Sequence, residues 1–380
     1  MGDERRTGTV ELLWDLVFVF AVTQVTTLLS RDESWAGFGR SMLVLALVWW
    51  AWSAFVWAAN AEEEDSRVLR VVLLTAMVLI FIAGLALPHA FGGEATLFAL
   101  TYAGVRLLHL ALYTHASIRG NASFNAIAGF GTTVLAGMAL LVAGSFLHGP
   151  ARVALWTAAL VIDYAGPALL TREKLRGLQH VAVAHFAERY SLFIIICLGE
   201  SIVGIGVAAN ARHLDGDVVL AVALGLLITV ALWWTYFDRF AETAQERLRR
   251  HDDPVLAASD AYSYLHLLLV AGIIVFAVGV KAALHDLTAP LTDAQRLALC
   301  GGVALYLLGH VAFRARMVGA LSYGKAAVAG ALLVVYALGS GLSALAVAAI
   351  VSALLAALCA AETLTPAGER RPPPASRPGS

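Results

Sequence analysis

The sequence predicts an all-α protein: a polytopic transmembrane helix bundle of about 12 spans, arranged as two pseudo-repeated six-helix halves. Three observations support this fold class. The chain of 380 residues is 60% hydrophobic and 14% charged, with a mean hydropathy of +0.77, whereas soluble domains carry about 25% charged residues. Apolar runs of membrane-spanning length recur along the chain, and basic residues concentrate on alternate connections between them.

A membrane-spanning helix needs about 20 mostly apolar residues to cross about 30 Å of hydrocarbon. On this rule the predicted spans are 10–29, 38–59, 68–88, 95–117, 125–147, 152–171, 186–209, 217–240, 259–281, 294–316, 325–342 and 343–361. The last two share one apolar run, which is interrupted only at Gly339-Ser-Gly341. This interruption fits either a tight turn between two helices or a flexible point within one long helix.

Lysine and arginine accumulate in the cytoplasmic connections of membrane proteins. With the N-terminus inside, 18 of the 26 basic residues fall on the cytoplasmic side and 6 on the opposite side, while Arg106 and Arg189 lie inside helices. This asymmetry predicts that both termini are cytoplasmic. We expect no cleavable signal peptide, because the first apolar run contains Glu11 and Asp15.

Three landmarks of the first half recur in the second: an acidic helix start, a tryptophan pair and a histidine. The pairs are Glu11 and Glu188, Trp49-Trp50 and Trp233-Trp234, and His109 and His310. Six spans per half would give both halves one orientation, related by an axis along the membrane normal. The predicted organisation is a cytoplasmic N-terminus (1–9), a first six-helix half (10–171), a cytoplasmic linker (172–185), a second six-helix half (186–362) and a disordered cytoplasmic tail (363–380).

Carboxylates inside apolar helices are costly in a membrane and by default mark a function. Glu11 and Asp15 lie one turn apart on one face of the first span. Glu11 is either a solvated helix-start carboxylate favoured by the helix dipole or part of a site, and Asp15 is a buried acid that is partnered or functional. At the start of the seventh span, His185 and Arg189 have the same spacing, with Glu188 between them. This turn is either a self-contained ionic cluster or part of a site.

Glu200 lies about 18 Å beyond Glu188 along its helix, at 1.5 Å per residue. An ionised group at that depth needs a partner or a water-filled cavity, so Glu200 is either functional or part of a structural salt bridge. Arg106 is the natural counter-charge, because a guanidinium stays protonated in proteins. We hypothesise that Arg106 neutralises one of Asp15, Asp163 and Glu200, and that another of these acids is free to titrate.

Other polar groups also fall within spans. His109, His266 and His310 are each either a packed, hydrogen-bonded ring or a member of a proton relay. Asp163 lies beside Gly166-Pro167, which fits either a proline kink or a helix break that exposes carbonyls to a substrate. The candidates for binding a proton or substrate are Asp15, Arg106, His109, Asp163, Glu200 and His310, and the cytoplasmic-side motif is Glu11, His185, Glu188 and Arg189.

The acidic motifs resemble those of a known family. Glu11-Leu-Leu-Trp-Asp15-Leu-Val-Phe-Val-Phe, followed by His185-Phe-Ala-Glu188-Arg189-Tyr and Leu198-Gly-Glu200-Ser201-Ile, resembles the bacterial low temperature requirement protein A (LtrA) family. Members usually read Glu-Leu-Phe-Phe-Asp at the first motif, so Leu13 and Trp14 depart from the pattern while both acids remain. The resemblance implies a polytopic protein of the bacterial inner membrane associated with growth in the cold, and it implies no particular substrate.

These features favour a secondary transporter of an unknown small solute or ion, proton-coupled in one version, with ionisable groups of both halves meeting near mid-membrane. One alternative is a membrane-embedded enzyme acting on a lipid, which the absence of His-Glu-x-x-His, Gly-x-Ser-x-Gly and zinc-ligand spacings disfavours. Another is a channel or a non-catalytic protein of cold or stress adaptation. We expect no cofactor and no metal. A net charge of -1 argues against nucleic acid as a partner, which leaves membrane lipids and the solute.

Overall fold

The computed structural model describes residues 7–61, 66–119, 124–169 and 182–364. Within these ranges the chain is mainly helical and contains no β-strand, which confirms the predicted all-α class. The helices are α1 (Thr9–Arg31), α2 (Trp35–Ala61), α3 (Arg67–Ala86), α4 (Ala95–Ile118), α5 (Phe124–Ser145), α6 (Gly149–Leu169), α7 (Val183–Asn210), α8 (Gly216–Phe237), α9 (Phe240–Arg249), α10 (Pro254–His285), α11 (Asp293–Val318), α12 (Tyr323–Leu338) and α13 (Ala344–Leu364). The predicted tail from 365 onward and most of the predicted linker lie outside the described residues.

Ten helical segments of the described ranges are long and apolar enough to cross a membrane by length and composition. The sixth and eleventh predicted spans coincide with α6 and α12, which are not among these ten, and α12 has 16 residues. The number of twelve spans therefore stays a prediction. Large apolar side chains cover much of the outer surface; Val78 is 60% exposed and Val207 is 66% exposed. Such an extensive apolar surface fits contact with lipid.

One helix was not anticipated. The sequence predicts no element over 241–258, because this segment is too polar to cross a membrane. The structure has α9 there, ten residues long and placed directly after α8. Ala244 and Leu248, one turn apart, are buried, so α9 lies with one apolar face against the bundle and the opposite face exposed.

The interruption at Gly339-Ser-Gly341 is a turn between two helices, α12 and α13. The Gly339 backbone N–H donates to the Val335 carbonyl at 2.8 Å and closes the end of α12. The Ala344 N–H donates to the Ala289 carbonyl at 3.0 Å, which attaches the turn to the α10–α11 connection.

The proline in α6 does not end its helix, because α6 continues through Pro167 to Leu169. The helix is therefore not broken beside Asp163.

Each of the two predicted halves has a recognisable order of neighbouring helices. In the first half α1 packs against α2 and α3, α3 against α4, α4 against α5, and α5 against α6. In the second half α7 packs against α8 and α10, α10 against α11, α11 against α12, and α12 against α13. The halves meet where α1 and α2 contact α7 and α10. Any group on these four helices that faces inward is therefore placed at the interface between the halves.

Among the membrane-spanning candidates, α2 and α10 are the most enclosed, with 89% and 78% of their apolar stretches buried. Close approach to α10 depends on small residues, as is common between membrane helices. A Cβ atom at Gly272 would lie 2.6 Å from the backbone nitrogen of Tyr306, and one at Gly279 would overlap the backbone of Leu299. The backbones of α10 and α11 are therefore in direct contact, which gives α10 a fixed position against the second half.

Candidate functional site

An ionic cluster joins the two halves at the starts of α1 and α7. Residues four apart on a helix share one face, so α1 presents Glu11 and Asp15 to α7, which presents His185 and Arg189 in return. All four side chains are buried. We call these four residues the interhelical cluster. It brings together one predicted proton- or substrate-binding residue, Asp15, and three residues of the predicted cytoplasmic-side motif.

Arg189 contacts both carboxylates of α1. Its Nη2 and Nε donate to Asp15 Oδ1 and Oδ2 at 2.6 and 3.2 Å, and its Nη1 lies 3.1 Å from Glu11 Oε1. Such bidentate contacts between guanidinium and carboxylate are among the stronger hydrogen bonds in proteins. The indole N–H of Trp52 also donates to Asp15 Oδ1, at 2.8 Å. Asp15 is thereby held by partners from α2 and α7.

Glu11 is shared between two partners on α7. Its Oε2 lies 3.0 Å from His185 Nε2 and accepts from the Gly8 backbone N–H at 2.9 Å, which satisfies one of the free N–H groups at the start of α1. Two carboxylates and one guanidinium give the cluster a charge of minus one when His185 is neutral. One added proton, on His185 or on Glu11, balances the charge.

Glu188 does not belong to the cluster. Its side chain is exposed and accepts a hydrogen bond from Thr7 Oγ1 at 2.9 Å. His185 and Arg189 turn instead toward α1. The first turn of α7 therefore does not form a self-contained ionic group, which was one of the two alternatives open from the sequence.

A group of neutral hydrogen-bonding side chains lies next to the cluster, between α2, α7 and α10. The Tyr190 hydroxyl, one residue beyond Arg189, lies 2.8 Å from Ser53 Oγ and 3.1 Å from Ser263 Oγ. The Trp57 indole N–H donates to Ser263 Oγ at 2.8 Å. All of these side chains are buried. We call Ser53, Trp57, Tyr190 and Ser263 the hydroxyl–indole cluster.

A π-helical stretch of α10, Ala258–Leu265, supplies Ser263 to the hydroxyl–indole cluster. Such stretches interrupt the regular backbone hydrogen bonds of an α-helix and occur frequently at functional sites. His266 follows it, with Nε2 3.0 Å from the Tyr236 hydroxyl. The Tyr262 ring stacks on His266 with centroids 4.8 Å apart. The Tyr262 hydroxyl is buried and has no hydrogen-bond partner among the described residues.

Arg106 pairs with Asp163, one of the three acids proposed for it. Its Nη2 lies 2.6 Å from Asp163 Oδ1, and both side chains are fully buried. His109, one turn along α4, has Nδ1 at 3.4 Å from Arg106 Nη1. This pair connects α4 to α6 inside the first half and has balanced charge. In the described ranges no ion pair links it to the interhelical cluster.

Glu200 lies apart from both of these groups and faces α10. Its Oε1 is 3.8 Å from Lys281 Nζ, and the two side chains are 11% and 30% exposed. Gly204, one turn further along α7, makes room for Lys281, because a Cβ atom there would overlap the lysine side chain. The sequence led us to expect that Asp15, Arg106 and Glu200 meet at one place. In the structure they do not. They belong to three ion pairs with different partners.

His109 and His310, which the predicted repeat makes equivalent, have similar surroundings. His310 Nδ1 lies 3.3 Å from Lys325 Nζ, and its ring packs against Phe240 with centroids 4.3 Å apart. His109 lies beside Arg106 and packs against aromatic rings that include Tyr113. Each histidine is a buried, packed ring next to a basic side chain, Arg106 or Lys325.

Several side chains of these sites are not among the predicted residues. Trp52 lies in an apolar run with no charged neighbour to mark it, although a buried indole N–H usually needs a partner. Lys325 is the first residue of the eleventh predicted span, and its side chain is buried in the first turn of α12. Ser263 has no local signal, because its position depends on the π-helical stretch.

Long apolar helices around buried, mutually compensating ionic groups define a polytopic α-helical membrane protein. The sequence model of the bacterial low temperature requirement A protein (LtrA) family matches residues 6–360, nearly the whole chain. The chain belongs to this family, which confirms the resemblance of its acidic motifs. It is also similar to the uncharacterized protein RA0937 of Rhizobium meliloti (strain 1021), with 31% identity over 313 residues that cover 81% of this chain and 76% of that protein. No solved structure matches the chain.

Proposed function

We propose that this protein is a proton-coupled secondary transporter of a small solute or ion, and that the interhelical cluster binds the coupling proton. The observation that carries the proposal is where the cluster lies: carboxylates of one half meet the histidine and arginine of the other. Alternating access generally moves one repeat or bundle against another. Such a motion would have to rearrange these contacts, so their protonation can control it.

The charge of the cluster supports proton binding. Asp15 and Arg189 compensate each other, since the guanidinium stays protonated and the contact is bidentate. One proton shared by Glu11 and His185 then brings the summed charge of the four side chains to zero. Because an uncompensated charge in a buried site is costly, binding this proton stabilises the contact between the halves and releasing it weakens the contact. Glu11 and His185 lie in the first turns of α1 and α7, and Asp15 and Arg189 lie one turn further along, so a proton has a short path from the helix ends to this site.

The hydroxyl–indole cluster supports a solute site next to the proton site. It lies between α2, α7 and α10, so it also belongs to the interface between the halves. Its members are uncharged hydroxyls and indoles, and the adjoining Tyr262 hydroxyl has no partner among the described residues. These groups suit a small polar solute that forms hydrogen bonds rather than ion pairs. We assign solute binding to this position.

The twelve-span, two-half architecture is part of the proposal. The same pattern of contacts occurs in both predicted halves. In the first, α1 packs against α2 and α3, and α3 against α4; in the second, α7 packs against α8 and α10, and α10 against α11. On this correspondence α6 and α12 also cross the membrane. The 18 to 6 distribution of basic residues favours the bacterial inner membrane with both termini cytoplasmic. The low-temperature requirement in the family description is consistent with a role in cold adaptation.

The test uses the full chain reconstituted in liposomes with an imposed pH gradient. Proton flux is followed with an entrapped pH dye, and uptake is measured for a panel of sugars, amino acids, nucleosides and inorganic ions. We expect gradient-driven uptake by the wild type and by Glu188→Gln, a matched control outside the cluster, and loss of accumulation in Glu11→Gln. Wild-type protein without flux or uptake across the panel would reject the proposal. A released lipid product would favour the lipid enzyme instead.

A further inference from the structure

A second charged site lies in the second half, apart from the interhelical cluster. A cleft of about 300 Å³ opens between the ends of α8, α11 and α13, the start of α12, and α9. Its charged lining residues are Asp238, Arg239, Arg247, Arg314, Lys325 and Glu362. The four cations outnumber the two carboxylates. Among the described lining residues, the basic side chains therefore exceed the carboxylates by two.

Ion pairs within the cleft leave two guanidinium groups in excess. Arg239 Nε lies 3.4 Å from Asp238 Oδ2, and Lys325 Nζ lies 3.9 Å from Glu362 Oε2. Arg247 and Arg314 are the remaining cations. Arg314 Nη1 donates to Ser322 Oγ at 3.2 Å, which orients the guanidinium and leaves further N–H donors, since arginine has five.

Lys325 gives the cleft a fixed positive wall. Its side chain is only 6% exposed, and its Nζ donates to the Thr235 carbonyl at 3.0 Å and lies 3.3 Å from His310 Nδ1. A buried ammonium held in this way is built into the fold, in contrast to a surface lysine that moves freely in solvent.

The rest of the lining is apolar and lies at the ends of long helices. Phe313, Met317 and Val318 of α11 line the cleft together with Trp234 of α8. Trp234 is half-exposed on the outer surface of the bundle, where tryptophan is typical of the boundary between lipid and water. The cleft thus combines cations for an anionic group with an apolar wall for an organic group.

We propose that this cleft binds an anion that carries a phosphoryl group, with Arg247 and Arg314 contacting the phosphoryl oxygens. The planar guanidinium matches two oxygens of one phosphate at a time. The apolar wall accommodates the organic part of the ligand. A soluble phosphate ester and a phospholipid headgroup share this chemistry, and the experiment distinguishes them.

The experiment uses the full-length protein, with inorganic phosphate and glycerol 3-phosphate as soluble probes and nanodiscs of phosphatidylglycerol or phosphatidylcholine as lipid probes. Binding of soluble probes is measured by titration calorimetry, and bound lipid by native mass spectrometry. We expect Arg247→Gln and Arg314→Gln each to weaken binding about tenfold, because each removes a charge-assisted hydrogen bond. Arg250→Gln is the matched control: Arg250 is exposed, lies at the end of α9 and does not line the cleft.

The outcomes separate the sources of the ligand. Binding of glycerol 3-phosphate or inorganic phosphate identifies a soluble ligand, and selective retention of phosphatidylglycerol over phosphatidylcholine identifies a lipid headgroup; both support the proposal. If no probe binds, or if Arg250→Gln loses as much binding as the cleft variants, the proposal is overturned. Should a glutamine variant fail to fold, Arg314→Lys keeps the charge without the bidentate geometry, and unchanged binding by this variant contradicts a guanidinium contact.

Discussion

The interhelical cluster and the Arg106–Asp163 pair are both buried ionic groups, yet they differ in charge and in what they connect. Arg106 and Asp163 balance each other within the first half. The interhelical cluster connects the two halves, and its four side chains sum to zero charge with one added proton. The comparison separates two uses of buried charge: a balanced pair inside one half stabilises that half, whereas an unbalanced group at the interface is suited to binding and releasing a proton.

The largest expected effect is on the balanced pair. Arg106→Gln leaves Asp163 as an uncompensated buried carboxylate, and breaking a buried pair in this way costs about 3–5 kcal/mol. We expect poor accumulation in the membrane and a strongly lowered thermal midpoint. The double variant Arg106→Met/Asp163→Leu removes both charges and should recover most of the stability together with transport. Normal accumulation of Arg106→Gln protein would contradict a structural role for the pair.

The next effect distinguishes the interhelical cluster from that pair. Arg189→Gln leaves Glu11 and Asp15 buried without their guanidinium, so we expect a loss of stability of about 3–5 kcal/mol. Adding Asp15→Asn removes one of the two stranded charges and should restore much of the thermal midpoint. Proton-driven uptake should nevertheless stay lost. Uptake restored along with stability would mean that the cluster has only a structural role, as at Arg106 and Asp163.

A smaller change in stability is expected for Glu11→Gln. The amide oxygen of glutamine still accepts from the Gly8 N–H, and the remaining Asp15 and Arg189 are balanced, so we expect the thermal midpoint to fall by no more than a few degrees. In liposomes the variant should equilibrate its solute without accumulating it against a gradient. An unchanged ratio of accumulated to external solute would show that the proton binds elsewhere.

The smallest effect is expected for Glu200→Gln. Its partner Lys281 is 30% exposed and 3.8 Å away, so this contact is longer and less enclosed than the ion pairs of Arg106 and Arg189. Thermal unfolding should be close to that of the wild type, and proton-driven uptake should persist. Gly204→Ala is a useful companion, because it displaces Lys281 without changing the carboxylate. Loss of proton coupling in Glu200→Gln alone would move the proton site from the interhelical cluster to α7 and α10.

The sequence predicted features that depend on local pattern. Helical periodicity places Glu11 with Asp15 and His185 with Arg189 on shared faces, and the structure has both pairs so arranged. It did not predict that these faces meet, since Arg189 and Asp15 are separated by 174 positions and charge alone allows several partners. The choice of Asp163 for Arg106 likewise depends on which helices are neighbours. Ser263 depends on a π-helical stretch, which has no simple sequence signal.

The central claim is that the interhelical cluster exchanges one proton, and counting protons tests it most directly. Detergent-purified wild type and Glu11→Gln are titrated between about pH 5 and pH 8, the range in which histidine changes charge, and bound protons are compared at equal protein concentration. We predict that the wild type exchanges one proton more than Glu11→Gln, while Glu188→Gln matches the wild type in this range. Equal proton counts for the wild type and Glu11→Gln would contradict the account.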